Sequence, residues 1–409
     1  MTTIEKKLER NIKKNYIFNF ITNVDFTRGL WMLYLAFKGM SLFQIGMLEG
    51  MFHITSLIME VPTGAIADLI GRKASRMAGR VSGLVALLIM MNSHTFWLFA
   101  LSFFFTALSY NLESGAGEAL VFDSMKSLNR EKGFTKVLGK NEAIFNIASI
   151  FSLYIGGFLG QKSFTLVFIS SIVICIGALL MSLSFHEPEI ERDKHAERSF
   201  VNFAIHTGES FKTLFSKKEV AFLTLFTTTL SAFSTLIFYY IQNYWRSTGV
   251  EISTIGLFLA LGSAVAAFVS VNVGRVERFV KKRIKGSVFR YPFLIFSIVI
   301  FGGVFGLAFL SLNGTSNVAA MLFLVMTMAG ESGMYVSFNS FLNKHIPSKQ
   351  RATIISIESM LFSLMMIAVF PVFGWLAEIR SFYFAFGALA VVSGVMLTAS
   401  FFVIRRFSR

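Results

Sequence analysis

Ionisable side chains inside otherwise apolar stretches are the residues of this sequence that could do chemistry. They are Asp25, Arg28, Glu49, His53, Glu60, Glu113, Glu118 and Glu331. A charged group at the centre of a bilayer costs several kcal/mol unless it faces water or a partner. Such residues therefore indicate ion pairs, proton carriers or the lining of a solute pathway.

Three of these residues share one face of a predicted helix. At about 100° per residue, His53 lies about 40° and Glu60 about 20° from Glu49, and the stripe extends over about 16 Å of depth. Because histidine titrates near neutrality, one that is aligned with two carboxylates can carry protons. Structural hydrogen bonding is a second interpretation, and exposure of Glu49 at the outer mouth is a third.

The other ionisable residues allow a structural and a functional interpretation each. Asp25 and Arg28 are neighbours on one helical face and either form a structural ion pair or take part in transport. Glu113 and Glu331 each precede Ser-Gly, so they line a central cavity or belong to a step that packs helices through small residues. Glu118 lies seven residues after Asn111 and shares its face.

Two further carboxylates, Glu142 and Glu358, lie near predicted helix starts. A carboxylate at that position interacts favourably with the helix dipole, which predicts a structural role for both.

A run of glycine and charged residues follows the stripe. Residues 60–73 read E-V-P-T-G-A-I-A-D-L-I-G-R-K and contain Gly64, Asp68, Gly71, Arg72 and Lys73. The glycines allow a tight turn, and the charges require water or partners. The run predicts a short loop where a helix leaves the bilayer.

The elements that must position these residues are membrane-spanning helices. The 409 residues are 54% hydrophobic and 15% charged, with a mean hydropathy of +0.64. Apolar runs that can cross about 30 Å of hydrocarbon with roughly 20 residues each predict twelve spans. They lie near 16–38, 42–67, 77–93, 96–124, 141–161, 164–185, 219–245, 252–274, 290–312, 317–343, 352–377 and 381–404. We expect an all-α integral membrane protein.

Several function classes are disfavoured. The net charge of +15 comes from basic residues in short loops, which does not suit nucleic-acid binding. Cys175 is the only cysteine, so there is no intrachain disulfide framework. No phosphate-binding loop for ATP and no His/Cys spacing for a metal is present. Ser114 beside Glu113 lacks a base partner, so we do not expect an enzyme. We also expect no cleaved signal peptide.

Basic residues predict the orientation. Of the 38 Lys and Arg residues, 32 lie on the side that contains both termini and residues 68–76, and 4 lie on the other side. By the positive-inside rule, both termini are cytoplasmic in a multi-pass protein of the cell membrane. The Phe-rich and Lys-rich composition suits a bacterial inner membrane.

The longest polar segment divides the chain into two similar halves. We expect a six-helix bundle over 1–185, a cytoplasmic linker over 186–218 and a second six-helix bundle over 219–409. A shift of 218 residues lays Glu113-Ser114-Gly115 on Glu331-Ser332-Gly333. Such repeats predict a pseudo-twofold axis along the membrane normal and a substrate path at the interface.

Twelve spans, two halves, a central linker and the spacing G-x-x-x-D-x-x-G-R-K together resemble transporters of the major facilitator superfamily, including its bacterial proton-coupled efflux members. The resemblance implies that Asp68 caps the eleventh helix near Thr353 and that Arg72 pairs with Asp123. With Gly64, Gly71 and Lys73, these residues would form a cytoplasmic gate. It also implies that helices one, four, seven and ten are central.

Three features depart from that family pattern. The second half carries Arg278 where Asp68 would fall. Asn111 stands where drug exporters often carry an arginine, and Gly156-Gly157 stands without the usual proline in the fifth helix. These departures weaken the case for drug export.

The preferred function is proton-coupled export of a small amphipathic or cationic compound by alternating access. The protein would act as a monomer in the lipid bilayer, with no cofactor and with the proton gradient as its energy source. The first alternative is a proton-coupled importer, or an exporter of an anionic metabolite or lipid that uses Arg28 or Arg80. The second is a non-transporting membrane sensor on the same fold.

Overall fold

The computed structural model describes residues 3–188, 218–283, 293–312, 317–345 and 348–407. These residues form thirteen α-helices and one short 3₁₀ helix at Glu131–Gly133. The α-helices are α1 (Thr3–Asn23), α2 (Trp31–Phe37), α3 (Leu42–Ile70), α4 (Arg72–Asn92), α5 (Phe96–Ser127), α6 (Phe134–Lys162), α7 (Phe164–Leu183), α8 (Lys218–Ser247), α9 (Ile252–Arg283), α10 (Phe293–Leu312), α11 (Asn317–His345), α12 (Ser348–Ile379) and α13 (Phe382–Phe407). Most of the predicted linker 186–218 lies outside the described residues.

Ten helices of the described part are long and apolar enough to cross a membrane. The first predicted span is not among them because it is divided between two helices, and neither is α5, which carries three acidic residues. The chain is thus a multi-pass, all-helical membrane protein. The count of twelve spans and the pseudo-twofold axis stay predictions.

The first predicted span, 16–38, is wrong as a continuous helix. It is interrupted at residues 24–30, between α1 and α2. The Asp25 carboxylate accepts hydrogen bonds from the Thr27 backbone N–H at 2.9 Å and from its hydroxyl at 2.6 Å. A side chain that bonds the backbone two residues ahead competes with the helical hydrogen bonds, which explains why the helix stops here.

The predicted loop over residues 68–76 is also wrong. Helix α3 continues through Pro62 to Ile70, and α4 begins at Arg72, so Gly71 alone separates them. Gly71 has φ 105°, a backbone conformation that residues other than glycine rarely adopt. A single residue thus makes the turn that the sequence predicted as a loop of nine residues, 68–76.

The helices form two compact units. The N-terminal unit comprises Met1–Tyr34 and Met51–Ala204, and the C-terminal unit comprises Leu35–Gly50 and Ile205–Arg409. Helices α2 and α3 each contribute to both.

The N-terminal unit packs closely where small residues face each other. A Cβ at Gly79 would lie 3.2 Å from the Ser109 carbonyl oxygen, and one at Gly83 would lie 2.9 Å from the Ser109 hydroxyl. Small residues let helices approach closely in lipid, where apolar burial gives little drive for association. This contact fixes the register of α4 against α5.

The C-terminal unit is packed around aromatic rings and glycines. Tyr240 of α8 is fully buried, with its ring 4.8 Å from that of Phe370 and 4.7 Å from that of Phe373. A Cβ at Gly306 of α10 would overlap the ring of Phe323 on α11. These contacts pack α8 against α12 and α10 against α11. Glu331 lies on α11 and Glu358 on α12.

Candidate functional site

A polar cavity of about 790 Å³ lies within the N-terminal unit. Helices α1, α4, α5 and α6 line it, and most lining side chains are polar or charged. The charged residues of the lining are Arg28, Arg76, Arg80, Glu113, Glu118 and Glu142. The lining thus offers both polar groups and apolar surface, which suits an organic solute that carries polar groups.

The most buried arginine of this cavity, Arg76, forms an ion pair. Arg76 of α4 is 2% exposed, and its guanidinium lies 2.8 Å from the Glu113 carboxylate of α5. It also donates to Asn15 at 3.1 Å and lies over the rings of Phe18 and Phe185, at 4.2 and 4.7 Å from their centroids. Glu113 lines this cavity of the N-terminal unit, and its nearest partner is the Arg76 guanidinium. Its predicted place in a central cavity between the two halves stays a prediction.

Asparagines of α1 form a ladder along the cavity wall. Asn15 and Asn19 donate to the side-chain and backbone oxygens of Asn141 at 3.3 and 3.2 Å. Asn23 donates to the Asn19 backbone at 2.8 Å. The spacing of four residues places these side chains on one helical face, so the ladder ties α1 to α6.

Arg28 lies beyond the end of this ladder, in the break between α1 and α2. Its guanidinium donates to the Ser149 hydroxyl at 2.5 Å and to Asn23 at 3.3 Å, and it lies 5.1 Å from the Phe145 ring centroid. Among the described residues it forms no ion pair with Asp25, whose carboxylate is bonded to Thr27. The Arg28 charge therefore faces neutral partners.

Arg80 follows Arg76 by one helical turn of α4 and also lines the cavity. Its Nε is buried and makes no hydrogen bond to any described residue. This arginine, which the sequence placed only among the alternatives, is a second cation that forms no ion pair within the described part of the chain.

Two carboxylates line the same cavity outside any ion pair of the described residues. Glu118 of α5 is exposed to it, and Glu142 of α6 accepts only from Asn146, at 3.3 Å. Because α6 begins at Phe134, Glu142 lies more than two turns inside the helix. The predicted position of Glu142 at a helix start is wrong.

The gate residues meet at the junction of α3 and α4. Arg72 forms an ion pair with Asp68, one turn earlier, and its Nε lies 3.7 Å from the Asp123 carboxylate of α5. Asp68 is mostly exposed, whereas Asp123 is mostly buried. The proposed cap of Asp68 on the eleventh helix near Thr353 stays a prediction.

A residue that the sequence assigned to the linker completes this junction. The Glu187 carboxylate accepts from the backbone N–H groups of Arg72 and Lys73, both at 2.7 Å. Asn11 holds the preceding residue, His186, through its backbone N–H and C=O at 3.0 and 2.7 Å. Glu187 thus satisfies the free N–H groups at the start of α4.

The three residues of the α3 stripe have different environments. His53 is buried, and its ring lies edge-on to that of Phe52 at 5.2 Å. Glu49 is half-buried, and Glu60 is exposed. Between His53 and Glu60, Ser56 exchanges hydrogen bonds with Asn111 of α5 at 2.8 and 2.7 Å. Asn111 thus fixes α5 to α3.

Two acidic residues of the C-terminal unit, Glu331 and Glu358, lie within electrostatic range of each other. Glu331 of α11 accepts from the Ser231 hydroxyl of α8 at 3.4 Å. Glu358 of α12 lies near enough to Glu331 for the two carboxyl groups to interact electrostatically. Since α12 begins at Ser348, Glu358 is ten residues inside it, and its predicted position at a helix start is wrong. Neither carboxylate forms an ion pair in the described part of the chain.

Sequence reasoning missed Arg76, Glu187 and the asparagine ladder. Arg76 was counted as a loop charge because it lies close to the charged run. The ladder had a visible signal, since asparagine recurs at 11, 15, 19 and 23. Glu187 had none, because its partners are more than 100 residues away.

Comparison with known proteins decides the family. A family model described as Major Facilitator Superfamily matches residues 17–369. The chain belongs to the major facilitator superfamily. An uncharacterised transporter of this superfamily, YxaM of Bacillus subtilis (strain 168), is 26% identical over 373 residues, which are 90% of this chain and 88% of YxaM.

Solved structures of the superfamily share the fold. The nucleoside transporter NupG matches with a TM-score of 0.72 at 16% identity, over 98% of this chain and 99% of NupG. A bacterial homologue of the human lysosomal transporter Spinster gives 0.71 at 14% identity, over 99% and 98%. A D-xylose–proton symporter gives 0.66 at 14%, over 95% and 96%. At these identities the similarity shows the fold alone.

Proposed function

We propose that this superfamily member is a secondary active transporter that moves a small organic solute by alternating access and draws its energy from the proton gradient. The observation that carries proton coupling is the pair of carboxyl groups of Glu331 and Glu358. They belong to different helices, interact with each other and have no Lys or Arg partner among the described residues.

Electrostatics favours a proton on this pair. Two ionised carboxylates within electrostatic range of each other repel more strongly in a low-dielectric interior than in water. With no cation to compensate them, binding one proton relieves the repulsion. The Ser231 hydroxyl can orient the Glu331 carboxyl group whether or not it carries the proton.

The acids of the N-terminal unit differ in their suitability for proton transfer. Glu113 is held by Arg76, so protonating it would break a buried ion pair. Glu118 has no such partner in the described residues and is exposed to the cavity. We therefore assign the transferable protons to Glu331, Glu358 and Glu118. Glu60 and His53 remain candidates through their common face on α3.

Export is our proposal for the direction of transport, and an amphipathic or cationic solute is what the excess of acidic residues in the first half predicts from the sequence alone. The named relatives include a D-xylose–proton symporter, so the same fold also accommodates proton-coupled uptake. We further propose that the protein is a monomer of the bacterial inner membrane with cytoplasmic termini and without a cofactor.

Transport by purified protein in liposomes tests this proposal. A panel of radiolabelled organic cations, organic anions, nucleosides, sugars and dipeptides is offered under an imposed pH gradient. We expect one class to accumulate in response to the gradient and to stop when a protonophore dissipates it. E251Q, which changes an exposed carboxylate beside α9, serves as the control and should transport normally.

Two results would contradict the proposal. Accumulation that is insensitive to the protonophore would exclude proton coupling. Binding of a panel member without exchange across the membrane would favour a non-transporting sensor.

A further inference from the structure

The cavity of the N-terminal unit contains two guanidinium groups that form no ion pair with a carboxylate of the described residues. Arg28 contacts a serine, an asparagine and a phenylalanine ring, and the buried Nε of Arg80 makes no hydrogen bond to a described residue. Asp25, the acid nearest to Arg28 in sequence, is bonded to Thr27 and does not line the cavity. Arg76 differs, because Glu113 lies 2.8 Å away.

The cavity residues that form no ion pair within the described part of the chain are arranged by charge: the arginines lie toward one end and the carboxylates toward the other. Gly79 and Gly83 flank Arg80 and pack against Ser109, so Arg80 is level with Ser109. Glu118 lies nine residues further toward the end of α5, roughly 13 Å away along the axis.

The same order holds on α6. Arg28 contacts Ser149 and Phe145, whereas Glu142 lies seven residues before Ser149, roughly 10 Å nearer the start of the helix. The end of α5 and the start of α6 are joined by residues 128–133. Both free carboxylates therefore lie toward this connection, and both free arginines lie away from it.

An arginine in a membrane protein that lacks a counter-ion requires water or an anionic ligand. The planar guanidinium donates two parallel hydrogen bonds to a carboxylate or phosphate, which lysine cannot do. Arg28 and Arg80 both line this cavity, so both guanidinium groups can donate to an anionic group inside it. The carboxylates at the other end accept from hydroxyl or ammonium donors.

We infer that Arg28 and Arg80 bind an anionic group of the transported solute, so that the substrate is a small hydrophilic organic anion or zwitterion with hydrogen-bond donors at its other end. This inference rests on the proposed transport function and replaces the cationic substrate with an anionic one. Glu118 and Glu142 then select the donor end of the solute.

Charged thiol reagents measure this polarity without knowledge of the substrate. Cys175 is the only cysteine, so C175S provides a background for single probes. T106C places a thiol in the cavity wall near Arg80, and T135C places one in the wall at the start of α6, near the carboxylates. Each is labelled with the anionic sulfonatoethyl and the cationic trimethylammonioethyl methanethiosulfonate.

We expect the ratio of anionic to cationic labelling rates to be about tenfold higher for T106C than for T135C, because a cleft of one charge sign concentrates its counter-ions by that order. R28Q and R80Q should each lower the ratio at T106C several-fold, and R80K should preserve it. R130Q removes an exposed arginine that pairs with Glu9 outside the cavity, and it should leave the ratio unchanged.

Equal ratios at the two probes, a preference for the cationic reagent at T106C, or indifference to both R28Q and R80Q would overturn the inference. So would failure of both reagents to reach T106C. Elution of each variant as a monodisperse peak excludes misfolding as the cause. The assay needs neither a pH gradient nor transport, so its failure is separable from failure of the proposed function.

Discussion

Charged residues in this protein differ according to whether a partner neutralises them. One cavity is lined by Arg76, Glu113, Arg80 and Glu118, and in the described part of the chain only Arg76 and Glu113 of these form an ion pair. A buried pair contributes little net stability, yet removal of one member leaves the other charge uncompensated. We therefore separate structural from functional charges by their partners rather than by their position in the sequence.

The Arg76–Glu113 pair gives a prediction at the residue scale. R76Q or E113Q alone should lower the free energy of unfolding by about 3 kcal/mol, because each leaves one buried charge without its partner. The double variant R76Q/E113Q should recover part of this loss. Thermal unfolding in detergent, followed by the fluorescence of the four tryptophans, measures all three variants.

A matched control is available one turn along the same helix. R80Q removes a guanidinium that forms no ion pair with a described residue and whose Nε makes no hydrogen bond there, so it should not destabilise the protein to a similar extent. Additive losses in the R76Q/E113Q double variant would show that the two side chains do not depend on each other, contrary to the structure.

At the scale of elements, the junction of α3 and α4 combines a glycine of positive φ with a helix cap from a segment that is distant in sequence. Gly71 makes the turn, and Glu187 accepts from the first two N–H groups of α4. A carboxylate at a helix N-terminus is stabilising through hydrogen bonds and through the helix dipole. The start of the predicted linker is thus bonded to the residues of the gate.

The two glycines of the charged run should respond differently to alanine. G71A should destabilise the protein by about 1 kcal/mol or more, because Gly71 has a positive φ. A Cβ there would also lie 2.8 Å from the Glu187 carboxylate. G64A should be neutral or slightly stabilising, because Gly64 lies inside α3 with open space around its Cα. Equal effects of the two substitutions in thermal unfolding would contradict this assignment.

Removal of the cap gives a prediction for the backbone. E187A should accelerate hydrogen exchange at the start of α4, at the amides of Arg72 and Lys73, since both would lose their acceptor. E131A, at an exposed residue of the α5–α6 connection, is the control and should leave this exchange unchanged. Unaltered exchange in E187A would show that the cap is not formed in solution.

At the scale of the whole molecule, the sequence predicted the helical membrane architecture well, because the length of an apolar run depends directly on the thickness of the bilayer. Local signals that compete within a few residues were harder to interpret. The break at Asp25 and the one-residue turn at Gly71 depend on a side-chain hydrogen bond and on one backbone conformation, neither of which changes hydropathy.

The sequence predicted the candidate site only in part, because it does not show which charged residues form ion pairs. The sequence could place Glu113, Glu118 and Glu331 in membrane helices, but not which of them has a neutralising partner. Arg76 and Glu113 are 37 residues apart in sequence, and their pairing depends on the register of α4 against α5. Only the folded structure shows that Arg28 and Arg80 form no ion pair with the carboxylates of the described residues.

Proton coupling through the carboxyl pair of the C-terminal unit is the central claim, and paired transport assays of E331Q test it most directly. Once the panel has identified a solute, E331Q should still exchange labelled for unlabelled solute at equal pH, because this exchange requires no net proton movement. Its accumulation under a pH gradient should fall at least tenfold, as should that of E358Q. Accumulation of E331Q at the wild-type level would contradict the account.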